Sequence, residues 1–165
     1  MLGEVLMIKN IVNNIKNKIE SEIKKSIYDD SERTLVKETY TVVGIDYYMQ
    51  NTNKLRVTNT ECKKPFLKPF AKTYKYTYIN KPVQLIPEPR NMHDRNAIQV
   101  LISGELVGYI SREDNIHVRN ILRRSEIKYI SSYINGGPYK TLSSNNKVIN
   151  NEDPLIIKIS IGYVR

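Results

Sequence analysis

Between residues 88 and 112 the chain reads EPRNMHDRNAIQVLISGELVGYISR, and this stretch holds the side chains best suited to chemistry. Asp94 stands between His93 and Arg95, with Arg90 shortly before and Arg112 at the end. An ionised carboxylate only accepts hydrogen bonds, so it can hold a neutral hydroxyl and repels a phosphate. Guanidinium groups do the reverse, taking phosphate oxygens through paired N–H donors. A ring beside them offers a stacking face. Such a set suits a surface that grips a phosphate backbone and a sugar hydroxyl together, which points to nucleic acid. Catalysis finds no comparable set. There is no Gly-rich phosphate loop, no HExxH and no Ser/His/Asp grouping in a recognisable context. Within the block only Glu88, Asp94 and Glu105 are acids, too few to converge on a catalytic metal. The expectation is a binding protein, not an enzyme, with no cofactor and no metal.

Charge supports that direction. The chain of 165 residues carries a formal net charge of +9. Residues 1–30 contain five lysines and five acids and cancel, so the whole excess belongs to residues 31–165. A basic globular part favours an acidic partner, nucleic acid ahead of a membrane surface. Cys62 is the single cysteine, which excludes an internal disulfide and fits a reducing cytosol. One Cys and two His give no recognised zinc spacing. No apolar run reaches the length of a membrane span, and Glu4 stands where a signal peptide needs a basic residue, so a cytoplasmic protein is expected.

The elements that must position the block can be read from periodicity. Val5, Ile8, Ile11, Val12, Ile15, Ile19, Ile23 and Ile27 recur at three- and four-residue steps, predicting an amphipathic helix over 4–28. Its apolar stripe suits docking on a partner or on a second copy. Asp29-Asp30-Ser31-Glu32 reads as a hinge, dividing the chain into an N-terminal helix over 1–30 and a domain over 31–165. Strands are expected at 35–45, 83–86, 97–102, 106–110, 126–134 and 155–164. Ser103-Gly104 forms a hairpin turn, Asn135-Gly136-Gly137-Pro138 a second turn, and 143–153 a polar loop. Ser111-x-x-Asp114 has the form of a capping box and predicts a helix from about 112 to 124. Residues 50–80 look irregular, with KPFLKPF at 64–70 and a stripe of Tyr74, Tyr76 and Tyr78 interleaved with Lys72 and Lys75. Many short strands around one embedded helix make the fold class α+β, mainly β, a small OB-like barrel preceded by the amphipathic helix.

The run Gly44, Tyr47, Leu85, Glu88, Pro89, Asn91, Asp94, Asn96, Ala97, Ile98, Val100, Gly108, Tyr109, Ile110 and Arg112 resembles, in order and spacing, the signature of the HIRAN domain. The resemblance covers roughly 38–165. It implies an OB-like barrel that binds single-stranded DNA and captures a free 3′-hydroxyl end. On the matching positions it implies that Asp94 accepts the terminal hydroxyl, Tyr47 or Tyr48 stacks a base, and Arg112 meets a phosphate. Tyr109 belongs to the same signature, His93 takes the place of its aromatic before the aspartate, and Tyr139 with Lys140 would flank the same groove. The chain departs from the pattern at His93, where the family prefers Tyr, at Ser111, where it has Pro, and at the acid Asp46 before the tyrosine pair.

Structural roles are open to the same residues. Asp94 in Asn-x-x-Asp-x-Asn also suits an Asx-turn that closes its own loop. If extended, Tyr47 and Tyr48 point to opposite faces, one into the core and one out. A tyrosine stripe at 74–78 is more often half-buried packing than a ligand surface, and arginines at 112, 119, 123 and 124 form by default a solvated helix face. The alternative function for the same fold is a protein–protein adaptor without end binding.

Overall fold

The computed structural model describes residues 13–24, 34–63 and 71–165. The expected hinge at 29–32, the repeat at 64–70 and both ends of the expected N-terminal helix lie outside these. Two compact units emerge, Met1–Leu35 with Val164–Arg165, and Val36–Tyr163. In the first, residues 13–24 form helix α1, every residue of which is exposed.

Apart from the end residues Leu35 and Val164, the second unit holds the remaining elements: β1 (Leu35–Val43) leads into a 3-10 turn at Ile45–Tyr48, helix α2 (Met49–Leu55), β2 (Arg56–Thr58) and a further 3-10 turn at Thr60–Lys63. Then come β3 (Thr73–Tyr74), β4 (Tyr76–Tyr78), β5 (Val83–Pro87), β6 (Ile98–Ile102), β7 (Glu105–Ile110), α3 (Asn115–Arg124), β8 (Glu126–Leu142) and β9 (Val148–Val164). One sheet runs in the order β3-β8-β9-β1-β7-β6-β5, and β2 pairs with β4 in a separate ribbon. The pairs β1–β7, β5–β6, β6–β7 and β3–β8 are antiparallel. The α+β class therefore holds, although the sheet does not close as a hydrogen-bonded barrel among the described residues. It curls instead, bringing β5 into contact with β8.

The core follows from strand alternation. Ile98, Val100 and Ile102 on β6 and Ile157, Ile159 and Ile161 on β9 are fully buried at two-residue spacing, and Val118 and Ile121 on one face of α3 belong to the same buried cluster. Ser111 Oγ bonds Asp114 Oδ2 at 2.7 Å, and Asp114 N–H donates to Ser111 Oγ at 3.2 Å, so the expected capping residues start the helical region, with regular helix from Asn115.

Two expected breaks fall elsewhere. Strand β8 runs through 135–138 without turning, because Gly136 (φ 100°) and Gly137 (φ 84°) take up the distortion at positive φ. The chain reverses only at 143–147, where Ser143 N–H donates to Lys147 O at 2.9 Å, so β9 begins at Val148, inside the stretch expected as loop. Conversely, the Tyr74–Tyr78 stripe is interrupted at Lys75, whose N–H donates to Pro138 O at 2.8 Å. Tyr74 then belongs to the large sheet, and Tyr76 and Tyr78 to the ribbon.

A polar cluster ties α3 to the sheet. Glu38 on β1 accepts from the hydroxyls of Tyr40 and of Tyr163 on β9, and His117 Nε2 on α3 lies 2.7 Å from its Oε2. The Tyr40 hydroxyl first, then that of Tyr163, holds the Glu38 carboxyl at about 2 against an ordinary 4.5, and His117 adds to the effect. A depressed carboxyl stabilises the fold fully above its unfolded pKa, and that contribution disappears as pH falls from about 4.5 toward about 2. Thermal unfolding followed from pH 5 to about 2 should therefore show Glu38→Gln losing less stability across that window than the natural chain. Equal slopes would remove Glu38 from the acid response.

Candidate nucleic-acid interface

The loop between β5 and β6 is built from its own polar side chains. Asn91 Oδ1 accepts from the N–H groups of His93 (2.9 Å) and Asp94 (3.0 Å), while Asn91 Nδ2 donates to Glu88 Oε2 at 2.8 Å. Asp94 Oδ1 accepts the Asn96 N–H at 2.8 Å, and Ala97 N–H closes onto Asp94 O at 3.0 Å. This is the Asx-turn expected of the sequence. Helix α3 fastens the loop from outside. Asn115 Nδ2 donates to Asp94 Oδ2 at 2.6 Å, and Arg119 Nη1 donates to Arg95 O at 3.3 Å and to Asn96 Oδ1 at 3.0 Å. Asn115 and Arg119 are four residues apart and so share a helix face, although Asn115 belongs to no motif that points to chemistry. Their i, i+4 spacing is the signal that was available.

Across from this loop, Gly44 in a left-handed conformation (φ 75°) ends β1 and begins the 3-10 turn that carries Tyr47 and Tyr48. Their positions come from a turn and not from extended backbone, yet they still divide between an outward and a packed residue. Tyr47 is 90% exposed, whereas the Tyr48 ring packs against Tyr109 of β7, centroids 6.2 Å apart at 52°. Helix α2 anchors the turn on β7, Asn51 Nδ2 donating to Leu106 O at 2.9 Å and Lys54 pairing with Glu105 at 3.0 Å. Burial, reinforced by the Tyr48 hydroxyl, pushes the Tyr109 hydroxyl up to about 12, keeping it a neutral hydrogen-bonding group.

Loop, turn and strand enclose an open cleft of about 590 Å³ lined by Tyr47, Tyr48, Asn91, His93, Asp94, Tyr109 and Arg112, with Val43, Ala97 and Ile110. Six of the eight expected site residues meet here. Asp94 keeps acceptor capacity, since two donors occupy a carboxylate with about four lone-pair sites. Arg112 stands beside it, Nε 3.8 Å from Asp94 Oδ2 and Nη2 donating to His93 O at 3.2 Å, with a side chain 77% exposed. The cleft thus combines ring faces, a carboxylate with spare lone pairs and an exposed cation.

Tyr139 and Lys140 do not join it. Because β8 continues through its glycines, Tyr139 pairs with Tyr74 at the β3 edge, its ring 5.5 Å from that of Tyr74 and with Lys72 Nζ 4.5 Å above it. Both residues line a separate pocket with Lys63, Lys75, Asn150 and Asn151. Among the described residues, no group of three or more His, Cys, Asp or Glu side chains is arranged to hold a metal, and no helix is long and apolar enough to cross a membrane.

No curated protein matches the sequence significantly. Among solved structures, the crystal structure of the HIRAN domain of human HLTF is similar, at 18% identity and a TM-score of 0.41, covering 80% of this chain and 78% of that one. The HIRAN domain model matches residues 38–153, which include the Asp94 loop, the tyrosine turn and α3, and the chain belongs to the HIRAN domain family.

Proposed function

We propose that this chain is a nucleic-acid-binding module that takes single-stranded DNA by its free 3′-hydroxyl end. The reading rests on one observation above the others, a pre-fixed carboxylate with spare lone pairs in an aromatic cleft beside an exposed arginine. In it, Asp94 accepts the terminal hydroxyl and repels a terminal phosphate. Tyr47 stacks the last base, with Tyr48, Tyr109 and His93 shaping the wall, and Arg112 takes a backbone phosphate. Phosphate contacts make such binding salt-sensitive. The work is binding and needs neither cofactor nor metal. The buried Cys62 thiol suits the cytoplasm.

Fluorescence anisotropy tests it, with one labelled strand ending in 3′-hydroxyl and the same strand ending in 3′-phosphate. Tighter binding of the hydroxyl strand is expected. Equal affinities would reduce the site to a general basic groove, and no binding at low salt would favour the adaptor alternative.

Tyr47 separates binding from folding. Its exposed ring contributes little to the core, so Tyr47→Ala should leave the unfolding midpoint unchanged. The same substitution should cost about 1–3 kcal/mol of DNA affinity, as loss of one stacked base does. Unchanged affinity in the anisotropy titration would move base stacking to another ring.

A further inference from the structure

We infer that the outward face of β1, β9 and β8 carries the rest of a bound single strand, running from the Asp94 cleft toward the 5′ end. This track rests on the cleft holding the 3′ end. Strand register makes the face continuous with the cleft. Val43 lines the cleft and pairs with Tyr109 of β7. On its other side β1 lies beside β9. There Thr39 Oγ1 and Ser160 Oγ lie 2.8 Å apart, and Arg165 N–H donates to Thr34 O at 3.2 Å. Those two contacts set the strands antiparallel, with Thr41 beside Lys158 and Lys37 beside Gly162. Strand β8 continues the pattern. A Cβ on Gly162 would run into the Tyr129 ring, and one on Gly136 would fall 3.1 Å from Leu155 Cα. Tyr129 therefore lies over Gly162, and Tyr133 comes beside Lys158.

The face has the chemistry of an unpaired strand's partner. Lys37, Thr41 and Lys158 are exposed, as are Tyr133 at 57% and Tyr129 at 39%. Neither lysine is ion-paired among the described residues. Across 37–43, 129–135 and 156–162 the one acid is Glu38, which is turned inward to Tyr40 and Tyr163. Rings set among ammonium groups, with no carboxylate between them, take phosphates and bases of any sequence. Tyr133 with Lys158 lies nearest the cleft, and Tyr129 with Lys37 lies farther out. From Val43 to Lys37 the track is about 20 Å long at the rise of a strand.

Fluorescence anisotropy on the full chain tests the track with 3′-hydroxyl strands of about four and about twelve nucleotides, a range spanned by small barrel folds. The longer strand should bind more tightly. Tyr133→Ala should weaken the longer strand roughly fivefold to a hundredfold, the loss of one stacked base. It should leave the shorter strand's affinity, its preference for a hydroxyl end and the unfolding midpoint unchanged. Lys37→Ala with Lys158→Ala should reduce the salt slope of the longer strand by about 1.4, two phosphates on a single strand. Equal affinity for both lengths, or a longer strand indifferent to these variants, would overturn the track while a hydroxyl preference in the shorter strand keeps the cleft. A midpoint lowered by Tyr133→Ala with affinity unmoved would mean that the ring packs on the chain, and would overturn it too. Absence of hydroxyl preference at both lengths would overturn the cleft reading and the track with it.

Discussion

Asp94→Ala is expected to abolish discrimination between 3′-hydroxyl and 3′-phosphate ends. A hydrogen bond to a charged acceptor contributes about 1.5–3 kcal/mol, so the hydroxyl strand should lose roughly tenfold to a hundredfold or more in affinity. Loss of binding alone would be ambiguous, because Asp94 also holds its loop. Its carboxylate accepts from Asn96 N–H and from Asn115 Nδ2, and Asn115 is 1% exposed with an Oδ1 that already lacks a partner. Alanine leaves that buried amide unsatisfied and should lower stability by about 1–3 kcal/mol. The two effects separate in the comparison of strands. A loosened loop weakens both strands together, whereas loss of the hydroxyl acceptor weakens only the 3′-hydroxyl strand and relieves repulsion of the phosphate. Anisotropy titrations of both strands, with a melting curve of the variant, read the two effects independently. Preserved preference for the hydroxyl strand would remove Asp94 from end recognition.

Gly108→Ala should give a large loss of stability. Gly108 lies in β7 between buried Val107 and the cleft residue Tyr109, at φ 149°. A Cβ built there falls 2.4 Å from Val43 O and 2.6 Å from Val42 Cγ1 on the neighbouring strand. The side chain of Val42 could turn, but the Val43 carbonyl is backbone, and β1 pairs with β7 at this point through Val42–Ile110 and Val43–Tyr109. Relief requires the strands to part, at a cost of roughly 3 kcal/mol for overpacking of this kind. In a chain this long that is a fall in unfolding midpoint of roughly 6–12 °C. Since Val43, Tyr109 and Ile110 line the cleft, DNA affinity should fall as well. A midpoint equal to that of the natural chain would mean that β1 and β7 do not approach as described.

The parts legible in the sequence are those whose signals are local. Ser103-Gly104 between alternating Ile98–Ile102 and Glu105–Ile110 marked a hairpin, and Ser111-x-x-Asp114 marked a helix start, and both formed where the pattern put them. The Asn91–Asp94–Asn96 spacing likewise gave an Asx-turn. Misplaced features depended on glycine geometry or on partners distant in sequence. Gly136-Gly137 had the composition of a turn, but Thr73 and Tyr74 pair with Lys140 and Tyr139 beyond it, which continued β8 and carried Tyr139 and Lys140 away from the cleft. Gly44 stands inside the strand expected over 35–45 but opens a 3-10 turn there, which leaves Tyr47 in solvent and packs Tyr48 on Tyr109. Asn115 carried no motif of its own, and its role appears only once α3 lies against the Asp94 loop.

Chemical-shift mapping of the isotope-labelled chain with a short single strand ending in 3′-hydroxyl tests the central claim most directly. The largest changes should fall on the Asn96 amide, the Asn115 side-chain amide, Tyr109 and Arg112. The same strand ending in 3′-phosphate should leave the Asn96 and Asn115 signals nearly unmoved. Changes concentrated at Tyr139 and Lys140, or identical responses to both strands, would contradict end capture in the Asp94 cleft.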